Sequence, residues 1–347
     1  MLIKYLKHSL QLTVWALIGG CMMSIQTSQA TCIKQGVQEQ HSLKSLTKML
    51  RSQKNVPFQT VDSVRYQYAK SLFKQLLNVP FLTTKATTEA ATEEKSQSEL
   101  SDAVKTLASQ AGLCWQWLTI SHREQNHTVL LLMEHSDAAN KNTQGQGAYL
   151  FSLNKPLNFV IQAPHQFFDY ATGKIALQFF FEQGLRAITI NSVHRNQTPQ
   201  SDLAHQANSL FSAFAEAYAE AMLEKAADKQ KEKQAEGYLI QVHGFSNKHR
   251  RSEAGKKADV IISNGTRSPS VYLRQSQERI NTTSAFKSYL YGVDIYELGG
   301  SQNSSLAILK QLNQQAHFIH LELSADARKE LKRSPSQREQ LWRSLQP

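Results

Sequence analysis

Tyr238-Leu239-Ile240-Gln241-Val242-His243-Gly244-Phe245 reads as a short apolar strand that ends in a histidine and a glycine. Three other stretches of the 347-residue chain deliver a polar residue in the same way. Residues 158–163 run into Pro164-His165, residues 187–191 into Val193-His194-Arg195-Asn196, and Phe318-Ile319-His320-Leu321 into Glu322. In an open parallel sheet, ligands bind outside the carboxyl ends of the strands. Four strands that each bring a metal-binding or acid/base residue to that end point to a metal-dependent hydrolase.

The pattern around these stretches is strand–helix alternation. Residues 174–183 read as a helix stopped by Gly184, and 187–191 as a strand. Residues 203–226 read as one long helix, with Ser201 or Asp202 as its cap and Leu203, Ala207, Leu210, Phe214, Tyr218 and Met222 as its apolar stripe. Strands are expected at 239–242, 259–263 and 318–323, and helices at 269–287 and 304–314. Such alternation implies an α/β fold: three layers, a mainly parallel sheet with helices on both faces, phosphorylase/hydrolase-like in kind. Strand candidates at 114–120, 128–133 and 148–153 would extend the sheet as an antiparallel edge. Before them come helices at 41–51, 61–77 and 100–111, an N-terminal helical extension interrupted by a Thr/Ala/Glu/Ser/Gln-rich linker at 83–98. The expected organisation is therefore a leader at 1–30, a helical region at 31–113 and a catalytic domain at 114–347.

Residues 1–30 have the form of a secretory signal. Lys4 and Lys7 give the positive start, residues 10–20 the apolar run, and Ser28-Gln29-Ala30 the small residues of a cleavage site. Ile18-Gly19-Gly20-Cys21 also resembles a lipoprotein box, in which Cys21 would carry a membrane lipid anchor. Either cut sends the protein out of the cytoplasm, to the periplasm or an equivalent compartment. There Cys32 and Cys114 could form a disulfide, the alternative being two buried thiols. Neither sits in a CxxC pair, so a cysteine-rich structural zinc site is not expected. The net charge is +11; the leader holds two lysines and no acid, which leaves +9 on the remainder. A basic chain favours anionic surroundings. No dense Arg/Lys block with interleaved aromatics is present, so nucleic acid is not the expected partner.

The chemistry centres on His165 and Asp169, four residues apart as the chain leaves a strand. Both can reach one metal ion, and His243 can add a third ligand from a neighbouring strand. Catalytic zinc takes three such ligands and keeps a position for water, whose pKa it lowers to about 7. The bland alternatives are that Asp169 caps the following helix and that His243 is a satisfied structural histidine. Glu322 is the candidate general base. Alternation puts Phe318, His320 and Glu322 on one strand face, and a carboxylate there is costly unless a cation or donor stands beside it. Its alternative role is a salt bridge to Arg195 or His320. Arg195 suits a substrate carboxylate, Asn196 a carbonyl, and His194 is a ligand or a polariser of the scissile carbonyl. Asp202 reads as a cap rather than a catalyst, and His205, on the first turn of a helix, could join the site or equally be a surface residue. Asn264-Gly265-Thr266 and Gly299-Gly300-Ser301 offer backbone N–H groups to an anionic substrate group. No GxSxG, dinucleotide or P-loop pattern occurs.

The order of these motifs resembles that of the N-formylglutamate amidohydrolases, which belong with the zinc carboxypeptidase-like hydrolases. Pro164-His165 is similar to the family's Pro-His, Val193-His194-Arg195-Asn196 to its Leu-Asn-Arg-Asp, and Ala204-His205 to its Tyr-His helix. Gln241-Val242-His243-Gly244 resembles its Asp-Ala-His-Ser, residues 259–266 its Asp-Leu-Asn-Leu-Gly-Thr, and His320-Leu321-Glu322-Leu323 its Gln-Leu-Glu-Leu. Gly299-Gly300 matches its Gly-Gly. The likeness spans residues 158–331, about half the chain. Two departures stand out: Gln241 replaces an acidic residue, and Gln166-Phe167 replaces Ser-Gly. The resemblance implies the fold and a zinc amide-hydrolase site. The expected activity is hydrolysis of a carboxylate-bearing amide: a peptide or N-acyl amino acid, such as a peptidoglycan-derived fragment. A non-catalytic envelope protein holding an anionic ligand in the same cleft is the competing expectation.

Overall fold

The strands that read as unbroken apolar runs are buried on both faces, as parallel strands under two helical layers must be. The structure, a computed structural model, describes residues 39–79, 100–134, 143–227 and 237–347. Among these, the strands are β1 (Glu39–Ser42), β2 (Cys114–His122), β3 (Gln125–Met133), β4 (Ala148–Phe151), β5 (Phe159–Ala163), β6 (Ala187–Ile190), β7 (Tyr238–Gly244), β8 (Val260–Ser263), β9 (Ser288–Leu290) and β10 (Phe318–Leu323). They form a single sheet in the order β1-β2-β3-β4-β6-β5-β7-β10-β8-β9. The centre, β6-β5-β7-β10, is parallel throughout. The β2-β3-β4 edge is antiparallel, as the sequence implies, and β1 adds a parallel strand outside it.

The helices are α1 (Leu43–Leu50), α2 (Ser63–Asn78), α3 (Asp102–Gln110), α4 (Thr172–Glu182), α5 (Leu210–Ala227), α6 (Glu253–Lys257), α7 (Val271–Thr283), α8 (Ser304–Gln311), α9 (Ala325–Arg333) and α10 (Pro335–Ser344). Alternation along the strands divides them between two cores. Ile161, Ile188, Ile240, Val242, Ile319 and Leu321 pack with Ile175 and Phe179 of α4, Leu331 of α9 and Trp342 of α10. Val160, Ala187, Leu239 and Phe318 pack with Leu72 and Phe73 of α2, Phe214 and Tyr218 of α5, and Leu309 of α8. The three-layer α/β architecture follows. The N-terminal region joins this body: Lys70 and Lys74 of α2 pair with Glu216, Glu220 and Glu224 of α5. Arg186, 1% exposed beside β6, donates to the carbonyls of Leu76, Leu77 and Val79 at the end of α2.

Three expectations are corrected. The helix expected over 203–226 begins at Leu210, because the Ser209 hydroxyl accepts from Ser212 N–H at 3.1 Å and caps it there. Residues 203–209 stay outside the helix, which frees Asp202 from any capping role. β8 is antiparallel to β10, so its carboxyl end lies at the opposite end of the sheet from those of β5, β7 and β10. His41 belongs to β1, and Ser42 caps α1 behind it. The leader, Cys21, Cys32 and the 83–98 linker lie outside the described residues.

Candidate metal centre

After β5, Pro164 leads into a helical turn: Phe168 N–H and Asp169 N–H both donate to His165 O, at 2.9 and 2.8 Å. One such turn places residues four apart on the same side. His165 Nδ1 and Asp169 Oδ2 are consequently 3.4 Å apart. The turn is fixed from outside, since Asn191 Oδ1 accepts from Gln166 N–H at 2.8 Å. Gly173 at the start of α4 lies so close to Gln166 that an added Cβ would stand 2.7 Å from Gln166 Cβ. From β7, His243 brings Nδ1 to 3.5 Å from the same Asp169 oxygen, which also accepts from Gly244 N–H at 3.0 Å. The three side chains offer ligand atoms that all lie within 4.8 Å of one another, and their residues are 1%, 4% and 5% exposed.

The hydrogen-bond partners of the imidazoles decide what those atoms are. His165 Nε2 is 2.8 Å from Asp202 Oδ1. A carboxylate only accepts, so this nitrogen carries a proton and Nδ1 faces Asp169. His243 Nε2 is 2.7 Å from Gln241 Oε1. The Gln241 amide is oriented by a chain anchored at both ends on backbone. Gln162 Nε2 donates to Phe211 O, Gln241 Nε2 donates to Gln162 Oε1 at 2.9 Å, and Asn303 Nδ2 donates to Gln241 Oε1. Asn303 Oδ1 in turn accepts from the N–H groups of Ser305 and Leu306. Backbone C=O can only accept and N–H can only donate, so Oε1 must be the acceptor for His243 Nε2–H. Burial and the neighbouring His320 push the pKa of His243 down to about 4, which keeps the ring neutral. Its Nδ1 therefore presents a lone pair to a carboxylate oxygen. Two acceptors face each other in a buried site, an arrangement that calls for a cation between them.

At His165 a proton can do that work. Burial opposes its charge, but the hydrogen bonds to Asp169 and Asp202 outweigh it, and the net shift is upward. Asp169 moves the other way: burial raises its carboxyl, and His165 leads the contacts that bring it well below the usual carboxylate range. Each histidine thus has an acceptor behind it and Nδ1 in front, the outer support that metal-ligating histidines carry. Two neutral-capable imidazoles and a carboxylate suit a divalent ion.

Around this cluster the sequence candidates separate. Arg195 is brought in: Nη1 lies 3.1 Å from His165 Nδ1, and Nη2 pairs with Asp202 Oδ2. Asp202, read as a cap, is the support of His165 and also meets His205 Nδ1 at 3.1 Å. Burial works to raise its pKa, but His165, His205 and Arg195 hold it far below the ordinary value. His194 is half-buried, accepts from Asn196 N–H at 3.1 Å on Nδ1, and stands edge-on to Phe168. Burial, then Lys54 and Arg195, lower its pKa. Glu322 sits beside His243 in the β7–β10 register and shares Oε1 with His320 Nε2 at 3.2 Å. Its Oε2 and His320 Nδ1 are buried with no partner among the described residues. The His320 ring lies 4.5 Å from that of His243, against Gly300, where a Cβ would come within 2.7 Å of it. Asn196 is exposed, and Asn264 is occupied by its own turn, accepting from Thr266 and lying at the far end of β8. Arg328 of α9 escaped the sequence reading. Its guanidinium lies where a Cβ on Gly244 would stand, donates to Leu323 O at 2.6 Å, and feels the charges of Asp169 and Glu322.

No family model matches the chain, and no curated protein matches it. Among solved structures, it is similar to a bacteriophage poly-gamma-glutamate hydrolase at 13% identity, over 55% of this chain and 80% of that one, with a TM-score of 0.30. It is also similar to a candidate metallopeptidase from Shewanella denitrificans at 11% identity, over 67% and 82% of the two chains, with a TM-score of 0.29. At these values neither likeness adds to the geometry described above.

Proposed function

We propose that this chain is an exported zinc-dependent amide hydrolase of the N-formylglutamate amidohydrolase-like kind, acting on a carboxylate-bearing amide such as an N-acyl amino acid or a cell-wall peptide. One observation carries this: the His243 Nδ1 lone pair, fixed by a backbone-anchored amide chain, faces the Asp169 carboxylate across 3.5 Å. His165, Asp169 and His243 would hold the ion. When bound, zinc polarises a carbonyl and makes water acidic enough to lose a proton near neutrality.

The remaining steps belong to the chain's own groups. Glu322 Oε2, buried and unpartnered among the described residues, accepts the water's proton and returns it to the leaving nitrogen. His320 holds the other carboxylate oxygen and fixes its direction. Arg195 is held by Asp202 through Nη2, and with His165 Nδ1 given to the ion its Nη1 and remaining donors are available to a substrate carboxylate. His194 accepts at Nδ1, so its neutral ring carries the proton at Nε2 and can donate to the scissile carbonyl. The test is turnover by Glu322→Gln on N-acyl amino acids and muropeptides. Wild type should release amine, and the variant should be about 10²–10⁴-fold slower with its metal retained. Full activity in Glu322→Gln would remove Glu322 from the chemistry. Absence of any amide hydrolysis by metal-loaded wild type would favour the binding-protein alternative.

A further inference from the structure

The loop that carries His165 and Asp169 also carries three aromatic rings, Phe167, Phe168 and Tyr170, and each has a cation over it. Arg51 Cζ stands 4.7 Å and Lys54 Nζ 6.0 Å from the Phe167 centroid. Arg195 Cζ stands 5.3 Å from that of Phe168, and Lys332 Nζ 5.0 Å from that of Tyr170. Cation–ring pairs occur about once per 70–80 residues in proteins. Here three rings within four residues of chain each hold one, and the four cations come from three separate segments. Phe168 and Tyr170 are 54% and 61% exposed, an unusual state for rings beside a buried charged cluster.

Three of these cations also lack, among the described residues, the carboxylate partners that lysines elsewhere on the protein have. Lys70 and Lys74 each meet two glutamates. Among the described residues, Arg51, Lys54 and Lys332 meet no carboxylate; Arg51 donates to Gln166 O and Lys332 to the Tyr170 hydroxyl. A cation held on a ring keeps its charge available and loses less freedom when an anion arrives. The rings add apolar surface between the charges. Because rings and ligands alternate within residues 165–170, anything lying on the rim lies beside the metal ligands. A bilayer could touch the exposed rings but could not place a bond at the buried cluster.

Resting on the hydrolase reading, we infer that the substrate is an acidic peptide with carboxylates on successive residues, lying along the aromatic–cationic rim formed by Arg51, Lys54, Phe167, Phe168, Tyr170 and Lys332. Arg195 then takes the carboxylate nearest the scissile amide, and the outer cations take the next ones along.

The experiment is calorimetric titration of the full mature protein with a synthetic Asp/Glu-rich hexapeptide and with its Asn/Gln counterpart, at low and high salt, with zinc content measured on the same samples. The acidic peptide should bind, the amide counterpart should bind at least about tenfold more weakly, and salt should weaken the acidic peptide. The Lys54→Gln/Lys332→Gln double variant should lose about tenfold for the acidic peptide with zinc content unchanged. Equal binding of the two peptides by wild type would overturn the inference without use of any variant. So would tighter binding to phosphatidylglycerol vesicles than to the peptide. Stoichiometric zinc without peptide binding sinks the rim and leaves the hydrolase; peptide binding without zinc supports the rim and sinks the hydrolase.

Discussion

Replacing Gln241 by Leu tests whether the buried amide chain sets the metal site. Gln241 is fully buried, and its Oε1 accepts from both His243 Nε2 and Asn303 Nδ2. Leu matches its bulk but leaves those two N–H groups unpaired. An unpaired buried donor costs about 1–3 kcal/mol; once His243 moves its proton to Nδ1 only Asn303 is left unpaired, so the metal-free fold should lose about 1–3 kcal/mol, reduced by the added apolar burial. The metal effect is separate. Without the acceptor, His243 can move its proton to Nδ1 and donate to Asp169, which removes the lone pair. Loss of such outer support typically costs 10–100-fold in metal affinity, about 1.4–2.8 kcal/mol. Gln241→Glu keeps an acceptor for both donors but loses the N–H given to Gln162 Oε1 unless its second oxygen is protonated, and should retain more zinc affinity than Gln241→Leu. Competition against a chromophoric zinc chelator near neutrality reads the affinities, and thermal unfolding in excess chelator reads the fold. A folded Gln241→Leu protein with wild-type zinc affinity would refute the reasoning.

Two further predictions follow from the same site and from the N-terminal region. His165 has a folded pKa raised above 6.5, so it contributes stability to the metal-free protein that is lost as pH rises through the folded value. Zinc must displace that proton, so zinc affinity should rise by about tenfold per pH unit from 6.5 up to the folded pKa and level off above it; a flat profile by chelator competition would count against His165 as a ligand. His243, neutral throughout that window, adds no slope. If Cys32 and Cys114 are joined, labelling the denatured, unreduced protein with a thiol reagent should modify neither, and full labelling of both would exclude the bond.

The sheet was largely legible because its central strands are apolar on both faces and end in polar residues. Residues 158–163, 187–191 and 318–323 come within a residue of the observed strands. The direction of β8 was not legible, since an apolar run of four reads the same parallel or antiparallel. That His165, Asp169 and His243 could come together was visible because all three follow strand ends. Asp202 was hidden by continuous helical periodicity from Leu203 to Met222, although Asn208-Ser209 carries the cap signal that starts α5. Gln241 appeared only as a departure from an acidic pattern; its role depends on Gln162 and Asn303, which are 79 and 62 residues away. Arg328 reaches the site from α9, and no local pattern marks a guanidinium that lies against a glycine in a distant strand.

Elemental analysis of the purified protein, with His243→Ala alongside it, bears most directly on the central claim. Wild type should contain about one zinc per chain, as a site with three protein ligands requires. His243→Ala should contain much less while remaining folded. Equal and negligible metal in both proteins would contradict the claim, and would leave the His165–Asp169–His243 cluster as a buried polar network without an ion.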